Sequence, residues 1–96
     1  MPRYIVLYRF TETGAKGMRG TVERARQTRE ENEKRGFKIQ GLYWTQGPYD
    51  LVAIVEAPSE EAMMGGMVNV VSAGNVTSTT MRAFDEQEMQ GILKKA

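Results

Sequence analysis

The sequence predicts an α+β fold in βαββαβ order: a four-stranded antiparallel sheet with strand order 4-1-3-2, two main helices on one face and a short C-terminal helix. The central sign is the segment Gly41–Pro58. An aromatic-rich extended stretch there meets a Gly47-Pro48-Tyr49-Asp50 turn, and an apolar run from Leu51 to Ala57 leaves it. Such a pattern is a hairpin. The second sign is a pair of helical periodicities, one before the hairpin and one after it. Right-handed crossovers make strand 1 run parallel to strand 2, and strand 3 parallel to strand 4. The hairpin makes strands 2 and 3 antiparallel, and the compact solution is the 4-1-3-2 sheet.

Strand 1 is Tyr4 to Phe10, β-branched and aromatic with no Gly or Pro inside. Apolar residues fall on both of its faces: Tyr4, Val6, Tyr8 and Phe10 on one, Ile5 and Leu7 on the other. A strand apolar on both sides is covered on both sides, which points to a partner subunit. Thr11 to Thr13 open the next element, where Ala15, Met18, Val22 and Ala25 recur at helical spacing. Gly14, Gly17 and Gly20 weaken its first turns, and Gly36 stops it. Its second half is densely charged, and Glu30 with Lys34 and Glu31 with Arg35 have the favourable spacing for ion pairs. Interleaved glutamates make this a solvated face and not a nucleic-acid surface.

Strand 2 is Phe37 to Gln46, and Pro58 ends strand 3. Ser59 is a good N-cap for the second helix, with Glu60 and Glu61 at the positive end of its dipole. Met63, Met64, Met67, Val68 and Val71 supply its apolar stripe. Such a stripe is plain core or a soft ligand surface. Gly74-Asn75 breaks the helix, with Asn75 a helix-stop residue that tolerates left-handed geometry. Strand 4 is Val76 to Phe84. Asp85 with Glu88 three residues on forms a capping box for a last short helix, whose apolar face is Met89, Ile92 and Leu93. The sheet face away from the helices holds Ile5, Leu7, Leu42, Trp44, Val52 and Ile54, or the opposite set. Either choice leaves an apolar surface that a soluble monomer rarely exposes. The expectation is a homodimer closing sheet against sheet about a two-fold axis.

Composition narrows the function classes. The 96 residues correspond to one domain, 1–96. Thirteen basic and 12 acidic residues give a net charge of +1, with no general attraction to nucleic acid or anionic membranes. There is no Cys and no His. That removes protein-supplied imidazole or thiolate for zinc, copper or haem, and the Ser-His-Asp and Cys-His machineries. No calcium-loop pattern occurs, and the glycines at 14, 17 and 20 lack the lysine and hydroxyl of a phosphate loop. No metal or cofactor is expected. The N-terminus lacks a signal-peptide pattern and no apolar run spans a bilayer, so a cytoplasmic protein without membrane contact is expected.

The Tyr4-Ile5-Val6-Leu7 start, the Gly41–Pro58 block and the Gly74–Phe84 strand resemble the small GYD-domain proteins of the dimeric α/β-barrel, ferredoxin-like superfamily. Here a proline stands between Gly47 and Tyr49-Asp50. This resemblance implies the fold. The turn into strand 3, the following helix and the Gly74–Thr80 stretch are also similar to the ligand-binding domain of leucine-responsive (feast/famine) regulators. That second resemblance implies amino-acid binding near Gly47, Tyr49 and Asp50, without the DNA-binding helix-turn-helix of such regulators.

The antiparallel register brings the end of strand 1 to the start of strand 3, so Tyr8 and Arg9 should approach Asp50, with Trp44 at the same end. Together with Gly47 and Tyr49 they form the candidate ligand site, able to orient a small polar or aromatic molecule. Each has a structural alternative. Asp50 is either a base or ammonium acceptor, or a turn residue holding backbone N–H groups. Arg9 clamps a carboxylate or forms a rim ion pair. Trp44 stacks on a ligand or packs in core or interface. Arg82 and Glu56 are expected near the opposite sheet end, where they line a second opening or form a structural ion pair across the dimer seam. Three functions follow, one of them an interaction module whose only job is assembly. Another is a small-molecule-binding or regulatory homodimer. The third is a cofactor-independent monooxygenase or isomerase acting on a small aromatic or quinone-like substrate, a reading that rests on fold analogy.

Overall fold

The computed structural model describes residues 1–96. Its elements are β1 (Arg3–Phe10), α1 (Glu12–Lys16), a 3-10 turn (Met18–Gly20), α2 (Thr21–Lys34), β2 (Lys38–Trp44), β3 (Leu51–Glu56), α3 (Glu60–Ser72), β4 (Val76–Ala83) and α4 (Glu86–Lys95). The sheet order is β2-β3-β1-β4, which is the expected 4-1-3-2 read from the other edge. Every neighbouring pair is antiparallel, so the parallel strand relations lie across an intervening strand. This is the ferredoxin-like α+β fold.

The helices pack on the face carrying Tyr4, Val6, Ala53 and Val55, all buried, with Phe37, Ala57 and Met63 completing the core. Strand β3 alternates strictly between buried and half-buried positions, as a strand covered by helices on one side does. The opposite face has no helix on it. Ile5 faces Ile54 across β1 and β3, and Leu7 faces Val52. Leu42 and Trp44, expected by parity on that open face in one of the two assignments, lie instead on the helix side. A β-bulge between Ile39 and Gly41 is the reason: the extra residue, Gln40, shifts the parity of β2. Ile39 and Leu42 both reach the core, and Tyr43, 60% exposed, takes the open face.

The long first helix is interrupted. Gly17 and the 3-10 turn separate α1 from α2, as the low helix propensity of three glycines allows. Gly14 is buried, and a Cβ there would run into the Asn75 carbonyl. That same carbonyl accepts the Thr11 N–H at 3.0 Å, and the Thr11 hydroxyl donates to the Gly74 carbonyl at 2.6 Å. Left-handed geometry falls on Gly74 (φ 82°), not on Asn75. Met18 and Val22, expected in the core stripe, are exposed, and α2 buries no residue. Its ion pairs are also not those expected. Arg26 bridges Glu23 at 2.6 Å and Glu30 at 3.6 Å, and Arg29 lies 3.9 Å from Glu33. These exposed pairs contribute little to stability.

Helix α3 begins with the Ser59 side chain accepting from Ala62 N–H, and α4 begins with the Asp85–Glu88 capping box. Arg3 binds Glu88 at 2.5 Å and lies 3.6 Å from Glu56 and 3.7 Å from Asp85, so α4 is pinned by its first turn. Its apolar residues Met89, Ile92 and Leu93 remain exposed. Within the chain, Glu56 lies against Arg3 and accepts from the Gln40 side chain at 2.8 Å. Arg82 lies opposite Tyr4, on β4, where it donates to the Arg3 and Ala83 carbonyls and stacks on Phe84, 4.6 Å from its ring.

Candidate functional site

The residues proposed from sequence converge along the backbone and then diverge by face. Tyr8 pairs with Leu51, and Leu51 with Trp44. Asp50 joins them: its N–H donates to the Tyr8 carbonyl at 2.8 Å, and its Oδ2 accepts the Phe10 N–H at 2.9 Å. Its carbonyl accepts the Thr45 N–H at 2.9 Å, while the Thr45 hydroxyl donates to the Tyr49 carbonyl at 2.6 Å. The Asp50 carboxylate thus extends the β1–β3 ladder by one bond. Gly47 turns the chain with φ 113°, a conformation that favours glycine.

The side chains do not share one pocket. The Arg9 guanidinium stacks over the Tyr49 ring at 4.8 Å, beside the open face. Trp44 sits on the helix side, where its indole N–H donates to the Thr21 hydroxyl at 3.1 Å. Tyr8 also points to the helix side, where burial pushes its hydroxyl up to about 12. At neutral pH it is a proton-bearing donor and not a base. The expected set is therefore two pairs on opposite faces, joined by Asp50.

A cavity of about 400 Å³ lies between the sheet, α2 and α3. Tyr8, Ile39, Leu42, Leu51 and Val55 are among the residues that form its apolar floor. Its wall on α2 includes Thr21, Arg24, Thr28 and Asn32. These recur at three- and four-residue spacing, so the stripe of α2 turned to the sheet is mainly polar, with Ala25 of the expected apolar stripe beside it. This explains why the helix covers the sheet without packing into it. Arg24 Nη1 donates to the Gly17 carbonyl at 2.7 Å, while Nη2 is buried with no hydrogen-bond partner. Sequence reasoning missed this wall. Its signal was present in the 24, 28, 32 spacing, but in a densely charged segment it read as a solvated face. A second groove, between α3 and β4, is lined by Met63, Met64, Met67, Val68 and Tyr4, among others.

A four-stranded antiparallel sheet with helices on one face and a cavity beneath them defines a ferredoxin-like domain. A model of the GYD domain matches residues 4–93, and the chain belongs to that family. The chain is similar to the "Glutamine synthetase and cystathionine beta-lyase binding protein" of Thermus thermophilus. The two are 32% identical over 95 residues, which span 98% of this chain and 100% of that one. Its fold is also similar to the crystal structure of MtbAldR, with a TM-score of 0.68 at 16% identity. That match covers 88% of this chain and 54% of the other, and it speaks to the fold alone. No helix is long and apolar enough to cross a membrane.

Proposed function

We propose that this protein is a non-catalytic regulatory homodimer that binds metabolic enzymes, of the class to which glutamine synthetase and cystathionine β-lyase belong. The observation that carries this reading is the end-to-end similarity to a relative described as a binding protein for those two enzymes. A cytoplasmic location goes with it. The chemistry of the cavity supports a non-catalytic role. A monooxygenase or isomerase without cofactors needs an ionisable group poised near neutrality. Tyr8, the cavity group with a displaced pKa, moves the other way.

The homodimer half of the proposal rests on the open sheet face. Ile5, Leu7, Val52 and Ile54 form its centre, with Tyr43 and Met81 exposed around them. Only nine of the 96 residues are buried within the single chain. A chain this short gains much of its stability by association, and a two-fold contact of this face with itself is self-complementary. Light scattering at about 10 µM protein, a concentration that populates a Kd of that order, should give twice the chain mass. A monomer would overturn the dimer. Titration calorimetry against the two purified enzymes from the source organism tests the partner. Saturable binding to either is expected, and no binding to both removes the protein-binding reading.

A further inference from the structure

We propose that the cavity between the sheet, α2 and α3 binds a small carboxylate with an apolar body, its acid group held by Arg24. This goes beyond the enzyme-binding proposal and does not depend on it. Three features of the cavity lead there. Its volume of about 400 Å³ lies in the range of pockets that enclose small ligands. Its floor is the apolar helix-side surface of the sheet, including Leu42, Leu51 and Val55. Its charged lining is Arg24, Arg35 and Arg29, the last 3.9 Å from Glu33, with the carboxylate of Glu31.

The chemistry is set by Arg24. One of its terminal nitrogens is engaged by the Gly17 carbonyl, and the other is buried without a partner. That nitrogen is closed to solvent as it stands, so a ligand reaches it by a turn of the guanidinium towards the cavity; a buried, unpaired N–H on a cation is unfavourable, and an anionic oxygen is the acceptor that best relieves it. The apolar surroundings strengthen such a bond. One free nitrogen suits a monoanionic carboxylate better than a phosphate dianion, which calls for several donors. Tyr8 adds a second donor. Its hydroxyl keeps its proton, and burial is the cause of its raised pKa, with no ion pair or hydrogen bond contributing. A carboxylate held at Arg24 would lay its apolar chain over the sheet, towards the floor that includes Tyr8 and Leu51.

The chain carries its own reporter, since its single tryptophan, Trp44, donates to Thr21 at the cavity wall. The test is tryptophan fluorescence and calorimetry on the full chain with hexanoate, 3-phenylpropanoate, hexanamide, acetate and inorganic phosphate. Both larger acids should bind saturably, and hexanoate about ten- to a hundredfold more tightly than hexanamide, the ratio expected of one charge-assisted hydrogen bond. Acetate and phosphate should bind far more weakly, because they leave the apolar floor empty. Arg24→Met should abolish the preference for acid over amide without changing amide affinity. Should Arg24→Met fail to fold, Ala25→Phe, which fills the cavity from α2, should abolish binding of acids and amide alike. Equal affinity for hexanoate and hexanamide, or an acid preference retained in Arg24→Met, overturns the proposal. So does acetate or phosphate binding as tightly as hexanoate, or no saturation by either larger acid at about 10 mM, the weak end of specific binding.

Discussion

Replacing Asp50 by Ala separates a structural role from a ligand-binding one. The carboxylate accepts the Phe10 N–H at 2.9 Å across 40 residues of sequence, at a half-buried position. The backbone bonds from Asp50 to Tyr8 and Thr45 survive the substitution, because they involve the main chain only. The change therefore removes one charge-assisted bond and leaves one N–H unpaired. Bonds to charged groups contribute about 1.5–3 kcal/mol, and half-burial with access to water favours the lower part, about 1.5–2 kcal/mol. At about 4–8 °C per kcal/mol for a domain of this size, the melting temperature should fall by about 6–16 °C. Asp50→Asn keeps an oxygen acceptor without the charge and should lose about half as much. Urea denaturation followed by circular dichroism gives the free energy, and amide exchange at Phe10 gives the local effect. An unchanged midpoint together with unchanged Phe10 exchange would refute the structural assignment and return Asp50 to the candidate ligand-binding groups.

Two glycines should fail for different reasons. Gly14→Ala drives a Cβ into the Asn75 carbonyl and should cost about 1–3 kcal/mol through overpacking, read as a lower urea midpoint. Gly47→Ala meets nothing within 4 Å, so its loss of about 1–2 kcal/mol comes from the positive φ alone, and Gly47→Asn should recover part of it. The third prediction concerns acid. The Asp85 N–H first, and the Arg3 guanidinium second, hold the Glu88 carboxyl below the usual carboxylate range. A depressed folded pKa gives stability that is complete above the unfolded value, near 4.5, and is lost as pH falls through the folded one. Helicity at 222 nm should accordingly decline below about pH 4.5 in the native protein, and Glu88→Gln should lack that part of the decline. Identical acid limbs in the two proteins would remove Glu88 from the anchoring of α4.

The strand order, both main caps and the β1–β3 register were legible because they follow from short-range signals. Hairpin turn residues, the Ser59 and Asp85 caps and alternating apolar positions each act within a few residues. What was not legible depended on two elements meeting. The bulge at Gln40 moves Leu42 and Trp44 to the helix side; Gly41 inside the strand and the parity switch from Phe37 and Ile39 to Leu42 and Trp44 were its signs, but they leave open which face meets the helices. Tyr8, Arg9, Trp44 and Asp50 were correctly brought to one sheet end. Their division between faces follows from strand parity for Tyr8 and Arg9, but from the bulge for Trp44. Val22 looked like core by its spacing, and its exposure shows that the face of α2 turned to the sheet is the one bearing Arg24, Thr28 and Asn32.

That orientation of α2 is the feature from which the rest follows. A helix facing a sheet normally buries its apolar stripe there. Here the apolar Met18 and Val22 are left outside, and polar side chains line the inner space. The fold thereby gives up packing that a chain of this length can scarcely spare. In the proposed dimer, association through the open sheet face would supply burial that the helix side does not. The same arrangement keeps the two surfaces apart: the cavity opens between helices on one side of the sheet, and the proposed dimer closes on the other. Only β1 and β3, with side chains alternating between the two, connect them. Occupancy under Tyr8 and Leu51 would be felt across the sheet through Leu7 and Val52, their immediate neighbours in those strands. Coupling between a ligand in the cavity and the proposed dimer would have to run through those two strands, and a change in dimer affinity on saturation with hexanoate, read by light scattering, would reveal it.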